Sequence, residues 1–532
     1  MLRIALVATP LGGPSAQVHP LGCMAIGSFL LEELGLDVVE CKVFNFIRDP
    51  ARALREVLAF APDIVGFPVY SGHIDEVADL ARQVRQRLPQ VTLVAGGPHV
   101  TLTWFDFIHR WGDLFDYAVN GDGELPLLAI ARARLSGDWR ACHALPGIGR
   151  KTKLGVAQQG AAESLPTDRW VNPFLCDVVT DSEALYFSDR MDRRRRRAVA
   201  LVSSRSCPLK CSFCAIIAMP GKWRAAPVDA LLEWLRIEWV RQPFEHIYFM
   251  DANYFVSQKR VREVATRIRE LFGDVTWSTS STVGYFLKME EDIPWLVAHG
   301  LRAIELGLEA GSPEQLAFLN KHATTAQNLR AVDLIQQHQL VLGLDFIMFY
   351  PDQSLHGLIE NLDFLRQASL LDEDYSDHLY TALVLYPGTP LRGFYETRRG
   401  EPFSPDELPD IREMFVNPEV KEIYRLFVLD YGERHRMRIE SIVKAWRGQA
   451  AGRQLAGNAR RAQQLRFNAI RLHHLPYRLL RELTTLPLAQ LQALNSIDDY
   501  WPWLRELRAD AAPVDFNPWP AAPTEPAHVE AA

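Results

Sequence analysis

Strand-length apolar runs that stop on Gly, Pro or Ser recur along this chain, with room for one helix between neighbours. That rhythm restricts the possible folds more than any other feature. "RIALVATP" (3–10), "DVVECKVF" (37–44), "DIVGFPVYS" (63–71), "VTLVAGGPH" (91–99) and "YAVNGDGE" (117–124) form the first series. Continuous apolar runs of this kind mark parallel strands buried on both faces. Amphipathic segments such as "IDEVADLARQVRQRLP" (74–89) lie between them, so residues 1–149 are predicted to form a doubly wound, Rossmann-like α/β sheet. Such sheets bind ligands beyond the carboxyl ends of their strands. The ends "TPLGGPS", "PVYSGH", "GGPHVT" and "NGDGE" are rich in small residues that let a broad ligand approach the backbone.

Residues 150–197 lose the rhythm and are expected to form a surface linker, with the arginine run Arg193 to Arg197 solvated. A second series then begins. It comprises "AVALVSSRS" (198–206), "HIYFMDANYF" (246–255), "VTWSTSSTV" (275–283), "RAIELGLEA" (302–310), "GLDFIMFYP" (343–351) and "HLYTALVLYPG" (378–388). Six βα units predict a partial barrel over residues 198–395, with its site at the C-terminal strand ends. Residues 396–510 read as a mostly helical domain with a basic bias over 434–481, a solvated face or else a groove for an acidic or extended substrate. The Pro- and Ala-rich tail, 511–532, is expected to be disordered.

With 532 residues the chain has room for several domains, and 48% hydrophobic with 23% charged residues is the composition of a folded protein. A formal charge of −7 gives no general attraction to nucleic acid or anionic lipid, and neither is expected as a partner. No secretory leader or membrane-length apolar run is visible, so a cytoplasmic location is expected. In that compartment clustered cysteines hold metal more often than they form disulfides.

Three of the seven cysteines fall in "SSRSCPLKCSFCAI" (203–216): Cys207, Cys211 and Cys214. Structural zinc takes four protein ligands, usually as two pairs. No second pair exists, because Cys23, Cys41, Cys142 and Cys176 are scattered along the preceding sequence. Three thiolates suit an iron–sulfur cube better, leaving one iron without a protein ligand.

Cys207-x-x-x-Cys211-x-Phe213-Cys214, after the first strand of a βα series, resembles the motif of the radical S-adenosylmethionine (SAM) superfamily. The resemblance implies a 4Fe-4S cluster whose open iron is chelated by SAM and whose electron, from an external flavodoxin- or ferredoxin-type reductant, splits SAM to a 5′-deoxyadenosyl radical. It also implies SAM contacts from Phe213 and from strand ends: Asp251 and Asn253 in "FMDANYF", Ser280 in "WSTSST" and Glu309 in "LGLEAGS". The alternative for each is a helix cap or a satisfied loop residue.

"GLEAGSPEQLAFLNKHAT" (307–324), "FIMFYPDQS" (346–354) and "LVLYPGTPL" (383–391) resemble the branch of that superfamily with an N-terminal cobalamin-binding domain, although Phe349–Tyr350 stand where a Gly is usual. "HPLGCMAIGSFLLEELG" (19–35), "AGGPHVT" and "NGDGE" resemble the cobalamin domain itself. This implies corrin contacts from Tyr70, Ser71, Gly96, Gly97, Pro98, His99, Gly121 and Glu124. The sequence has no D-x-H-x-x-G motif to supply a lower cobalt ligand, so that face is expected to be open or covered by Tyr70, with His99 at the corrin edge or in packing. The family's activity would be methyl transfer from SAM, by way of cobalamin, to an unactivated carbon or phosphinate phosphorus of a peptide or natural product. A non-methylating rearrangement or cyclisation on the same architecture is the alternative. A corrinoid carrier or sensor is a further one, from another class.

Overall fold

A computed structural model describes the chain except for residues 9–19, 47–48, 181–184, 372–375, 456–457 and 508–532. The tail expected to be disordered lies outside the described residues, as does the whole loop "TPLGGPS".

The N-terminal sheet contains β1 (Leu2–Ala8), β2 (Val39–Asn45), β3 (Ile64–Pro68), β4 (Thr92–Gly96) and β5 (Tyr117–Val119), all parallel where they pair, in the order 5-4-3-1-2. The helices α1 (Leu21–Leu34), α2 (Pro50–Phe60), α3 (Ile74–Arg87), α4 (Pro98–Trp111) and α5 (Glu124–Ser136) alternate with the strands. Strand side chains alternate between the two faces. Ile4 and Leu6 join α1 and α5 in one core, while Ala5 and Val7 join α3 and α4 in another. Strand order reverses between β1 and β3, the crevice where doubly wound sheets take their ligands.

Residues 150–197 are more structured than a linker. β6 (Ile148–Thr152) and β7 (Gly155–Gln158) form a hairpin on β5, and β8 (Asp177–Thr180) adds a parallel strand beside β2. β9 (Tyr186–Ser188) pairs antiparallel with β10 (Arg195–Leu201). These strands are short edge pieces, and pairing with a strand already in place, not internal periodicity, forms them. The arginine run is correspondingly engaged. Arg196 is 2.9 Å from Asp189, Arg194 pairs with Glu245, and the Arg195 guanidinium lies 3.9 Å from the Tyr186 ring centroid.

β11 (Ser204–Arg205) and β12 (Arg224–Ala225) form a small antiparallel pair above the second sheet. That sheet continues from β10 through β13 (His246–Phe249), β14 (Thr276–Thr282), β15 (Leu301–Glu309) and β16 (Val341–Phe346), all parallel, giving a curled half-barrel. Phe249, Trp277 and Phe346 pack outward, Phe346 stacking on Phe364 of the helix Leu355–Gln367. The alternate positions, including Tyr248, Ser278, Ser280, Glu305 and Asp345, therefore face the lumen. The sixth expected strand is reduced to one parallel bridge, Phe349↔Ala382, carried by Phe349 N–H to Thr381 O (3.0 Å) and Leu383 N–H to Phe349 O (2.8 Å). Pro351 and the turn at Pro387–Gly388 stop the ladder on both sides.

The C-terminal region is helical: Pro418–Tyr424, a π-helix over Arg425–Arg436, then Met437–Leu455, Ala459–His473 and Leu475–Leu483. Among the described residues no helix is long and apolar enough to cross a membrane.

Candidate functional site

The cysteine loop is closed at its base by the β11–β12 pair and turns out of β11 at Ser206, whose φ is +67°. It is tied to the barrel rim at its middle. Ser212 N–H donates to Leu319 O (2.9 Å), Leu391 N–H donates to Ser212 O (3.0 Å), and Asn320 Nδ2 donates to Lys210 O (2.7 Å). Cys207, Cys211 and Cys214 are free thiols, Cys211 buried and the other two half-buried. Burial pushes Cys211 up to about 11 and also raises Cys214, while the buried Lys321 ammonium opposes the shift at Cys211. Three soft thiol donors on one pinned loop fit an iron–sulfur cluster. Among the described residues no group of three His, Cys, Asp or Glu side chains could hold a single metal ion.

Below this loop, at the carboxyl ends of β1, β3, β4 and β5, lies a largely apolar cavity of about 690 Å³. Gly97 and Gly121 shape its wall with φ of +91° and +95°. A Cβ on Gly97 would sit 3.1 Å from the Val69 backbone, so the close approach requires glycine. Val202, Arg205, Met219 and Met250 line the same cavity from the half-barrel side, so it opens between the sheet and the cysteine loop. Its size, its glycine rim and its position at the switch point fit a broad, flat cofactor such as a corrin.

The radical SAM superfamily model matches residues 201–365, and the B12 binding domain model matches residues 12–131. Residues 201–365 thus form a radical SAM domain. The chain also carries a B12-binding domain in front of the radical SAM domain. It is 27% identical over 401 residues to an uncharacterized methyltransferase of Pyrococcus horikoshii, covering 74% of this chain and 82% of that one. It is 26% identical over 352 residues to the cobalamin-dependent radical SAM methyltransferase TokK of Streptomyces tokunonensis, covering 62% of this chain and 48% of TokK. The fold matches that of the cobalamin-dependent radical SAM enzyme OxsB, solved with aqua-cobalamin and SAM bound, with a TM-score of 0.67 at 18% identity over 94% of this chain and 75% of that one.

In this B12-binding radical SAM chain, six of the residues expected at the corrin line the cavity: Tyr70, Gly96, Gly97, Pro98, Gly121 and Glu124. Ser71 and His99 do not. His99 is 0% exposed, its Nδ1 3.2 Å from Ser71 Oγ and its Nε2 3.3 Å from Asp406 Oδ1, so both ring nitrogens are engaged within the protein. Asp406 also accepts from Trp111 Nε1 (2.9 Å), and this polar cluster fastens the start of α4 to the segment after the barrel.

At the half-barrel rim, Asp251 is 2% exposed and accepts from Ser203 N–H (2.7 Å), Ser203 Oγ (2.7 Å) and Ser204 Oγ (2.6 Å). Both carboxylate oxygens are thus turned to the base of the cysteine loop. Burial raises the Asp251 pKa, and these hydrogen bonds oppose the rise. Asn253 Nδ2 points at Cys207 Sγ (3.8 Å), and its Oδ1 accepts from Ser281 Oγ (3.2 Å). Ser280 Oγ donates to Glu305 Oε2 (3.0 Å) in the lumen, and Phe213 packs on the core. Glu309, with φ +63°, pairs with Lys321 Nζ at 2.9 Å.

Sequence reasoning missed Lys321 and Arg205. Lys321 lies in the quoted stretch 307–324, but only the folded chain brings its ammonium beside Cys211 and Glu309. Arg205 donates to Glu124 Oε1 (2.5 Å), lies 3.3 Å from Asp122 and covers the Trp170 ring at 4.6 Å. It therefore joins the strand leading into the cysteine loop to the wall of the strand-end cavity. Three of the four cysteines that look scattered also meet. A Cβ on Gly27 of α1 would fall 2.5 Å from Cys176 Sγ and 3.2 Å from Cys41 Sγ, and Cys23 borders the cavity. Burial pushes the Cys23 thiol up to about 12, and a hydrogen bond with Cys176 together with burial raises Cys41, so these two thiols are protonated core residues.

Proposed function

We propose that this chain is a cobalamin-dependent radical SAM methyltransferase that moves a methyl group from SAM to an unactivated carbon, or to a phosphinate phosphorus, of a small natural-product or peptide substrate. The observation carrying this reading is one cavity walled by both domains, with Arg205 on the cysteine-loop strand bonded to Glu124 of the B12-binding domain. When bound, the corrin supplies methyl-carrying chemistry and the cluster with SAM supplies radical chemistry. Cys207, Cys211 and Cys214 would hold the cluster. Tyr70, Gly96, Gly97, Pro98 and Gly121 would hold the corrin. Asn253, Lys321 and Glu309 stand at the rim of the cysteine loop, where they would orient SAM by hydrogen bonds and charge. The shared wall would bring the two cofactor sites to one space, which reaction between bound partners requires.

The test is anaerobic reconstitution with cobalamin and SAM labelled at the methyl carbon, under a flavodoxin- or ferredoxin-type reductant. Methyl transfer predicts S-adenosylhomocysteine alongside 5′-deoxyadenosine. Formation of 5′-deoxyadenosine without any loss of the labelled methyl from SAM would instead identify a non-methylating enzyme.

A further inference from the structure

Between the half-barrel and the C-terminal helices, residues 400–417 contain neither helix nor strand. Irregular backbone stays in place only through outside partners, and here they come from two directions. On the half-barrel side, Arg392 is 3% exposed and spends its guanidinium on three backbone carbonyls: Leu385 O (3.1 Å), Ser404 O (2.7 Å) and Glu407 O (3.1 Å). Its Nε donates to Glu396 (3.0 Å). On the side of the N-terminal sheet, Arg110 reaches Ser404 Oγ (3.3 Å) and Asp406 (3.0 Å), and Trp111 Nε1 donates to Asp406 (2.9 Å).

Asp406 carries this anchorage to the strand-end cavity. A carboxylate only accepts, so His99 Nε2–H donates to Asp406 Oδ1, which leaves Nδ1 to accept from Ser71 Oγ–H. Ser71 follows Tyr70 and His99 follows Pro98, and both Tyr70 and Pro98 line the cavity. The two loops are bonded to each other by Val69 N–H to Gly96 O (2.8 Å) and His99 N–H to Val69 O (3.0 Å). Leu408 backs the Tyr70 loop from outside, where a Cβ on Gly72 would lie 3.3 Å from its side chain. Burial opposes ionisation of Asp406, but His99, Trp111 and Arg110 outweigh it and hold its pKa below the usual carboxylate range, so the anchor is charged. Direct bonds thus run from Arg392 through residues 404–407 to both loops of the cavity wall.

We propose that this segment is a strap with Asp406 as its positioning residue. Acting through His99 and Ser71, Asp406 sets the loop that carries Tyr70, so that the affinity for cobalamin is fixed partly from outside the B12-binding domain. The inference rests on that cavity being the corrin site. Holding a wall in its ligand-bound shape lowers the cost of binding, and releasing it restores that cost.

The test titrates cobalamin into the full-length, cluster-loaded protein and its variants by absorbance, with iron content and SAM affinity measured alongside. Asp406→Ala should weaken cobalamin binding about tenfold and Ser71→Ala about fivefold, with iron content and SAM affinity unchanged. Ser71 does not line the cavity, so its loss acts only through the loop. The double variant should bind no more weakly than Asp406→Ala, as expected of residues that work as a unit. Ser71→Ala removes one oxygen from a half-buried side chain, so it decides the matter even where Asp406→Ala fails to fold. Undiminished cobalamin affinity in Ser71→Ala, additive losses in the double variant, or a parallel fall in iron content would overturn the strap. A wild-type protein that takes up no cobalamin would instead overturn the assignment of the cavity to a corrin, and the strap with it.

Discussion

The cavity of the N-terminal sheet and the lumen of the half-barrel are both strand-end sites on parallel sheets, yet they are built from opposite materials. The first is walled by glycines, Pro68, Pro98 and apolar side chains such as Leu6 and Val94. The second carries Ser280, Glu305 and Asp345, with Glu309 and Lys321 above. There burial and the charges of Glu305 and Glu309 push Asp345 up to about 8. A broad cofactor is accommodated by room and apolar contact, which glycine and proline provide without polar cost. A small charged cofactor needs placed groups, and each placed group needs a partner. The contrast predicts that the two regions fail differently.

The largest expected effect is at the cysteine loop. Cys207→Ala should abolish cluster loading and 5′-deoxyadenosine formation together, read by iron content and chromatography; retained SAM cleavage would break the assignment. Asp251→Ala comes next. Loss of three bonds to a buried carboxyl should cost roughly 4 kcal/mol and lower iron retention, because Ser203 and Ser204 lose their clamp. A variant with normal iron but weak SAM binding would make Asp251 a SAM contact instead.

Arg205→Leu strands Glu124 in the cavity wall and should lower stability by roughly 3 kcal/mol in denaturant titration. An effect below about 0.5 kcal/mol would show the pair to be no stronger than a surface bridge. Gly97→Val should weaken cobalamin binding by about tenfold to a hundredfold through strain at positive φ, while cluster absorbance stays normal. Loss of both cofactors would mean that the two regions do not fail separately.

The last expectation concerns pH. His246 bonds Thr276 Oγ1 (2.7 Å) and Ser278 Oγ (2.8 Å), stacks on Phe187 at 3.9 Å, and is held by burial at about 3 instead of 6.5. The unfolded chain therefore binds a proton that the folded chain refuses. Stability should be fully present above about 6.5 and fall as pH drops from there toward 3. His246→Gln should flatten that part of the curve, measured by thermal midpoint against pH.

Much of this was legible in the chain. The strand runs, the helices between them and the three-thiol loop are local patterns, and each lies where its periodicity or spacing puts it. "HLYTALVLYPG" has the composition of a sixth barrel strand but finds a partner for a single bridge. The short strands of 150–197 carry no periodicity of their own, because edge pieces of three or four residues borrow their order from a neighbour.

The sequence alone determined the two βα series, the cysteine loop at the head of the second, and the small-residue strand ends of the first. Those features are decided by which face of an element must be buried and which φ a residue tolerates, and both are written within a few positions. Tertiary structure decided which distant groups met: Arg205 with Glu124, Asp251 with Ser203, His99 with Asp406 at 307 residues' remove, and Cys41 with Cys176. A polar or charged side chain records that it needs a partner, but not which one. Only the packing of the folded chain makes that choice.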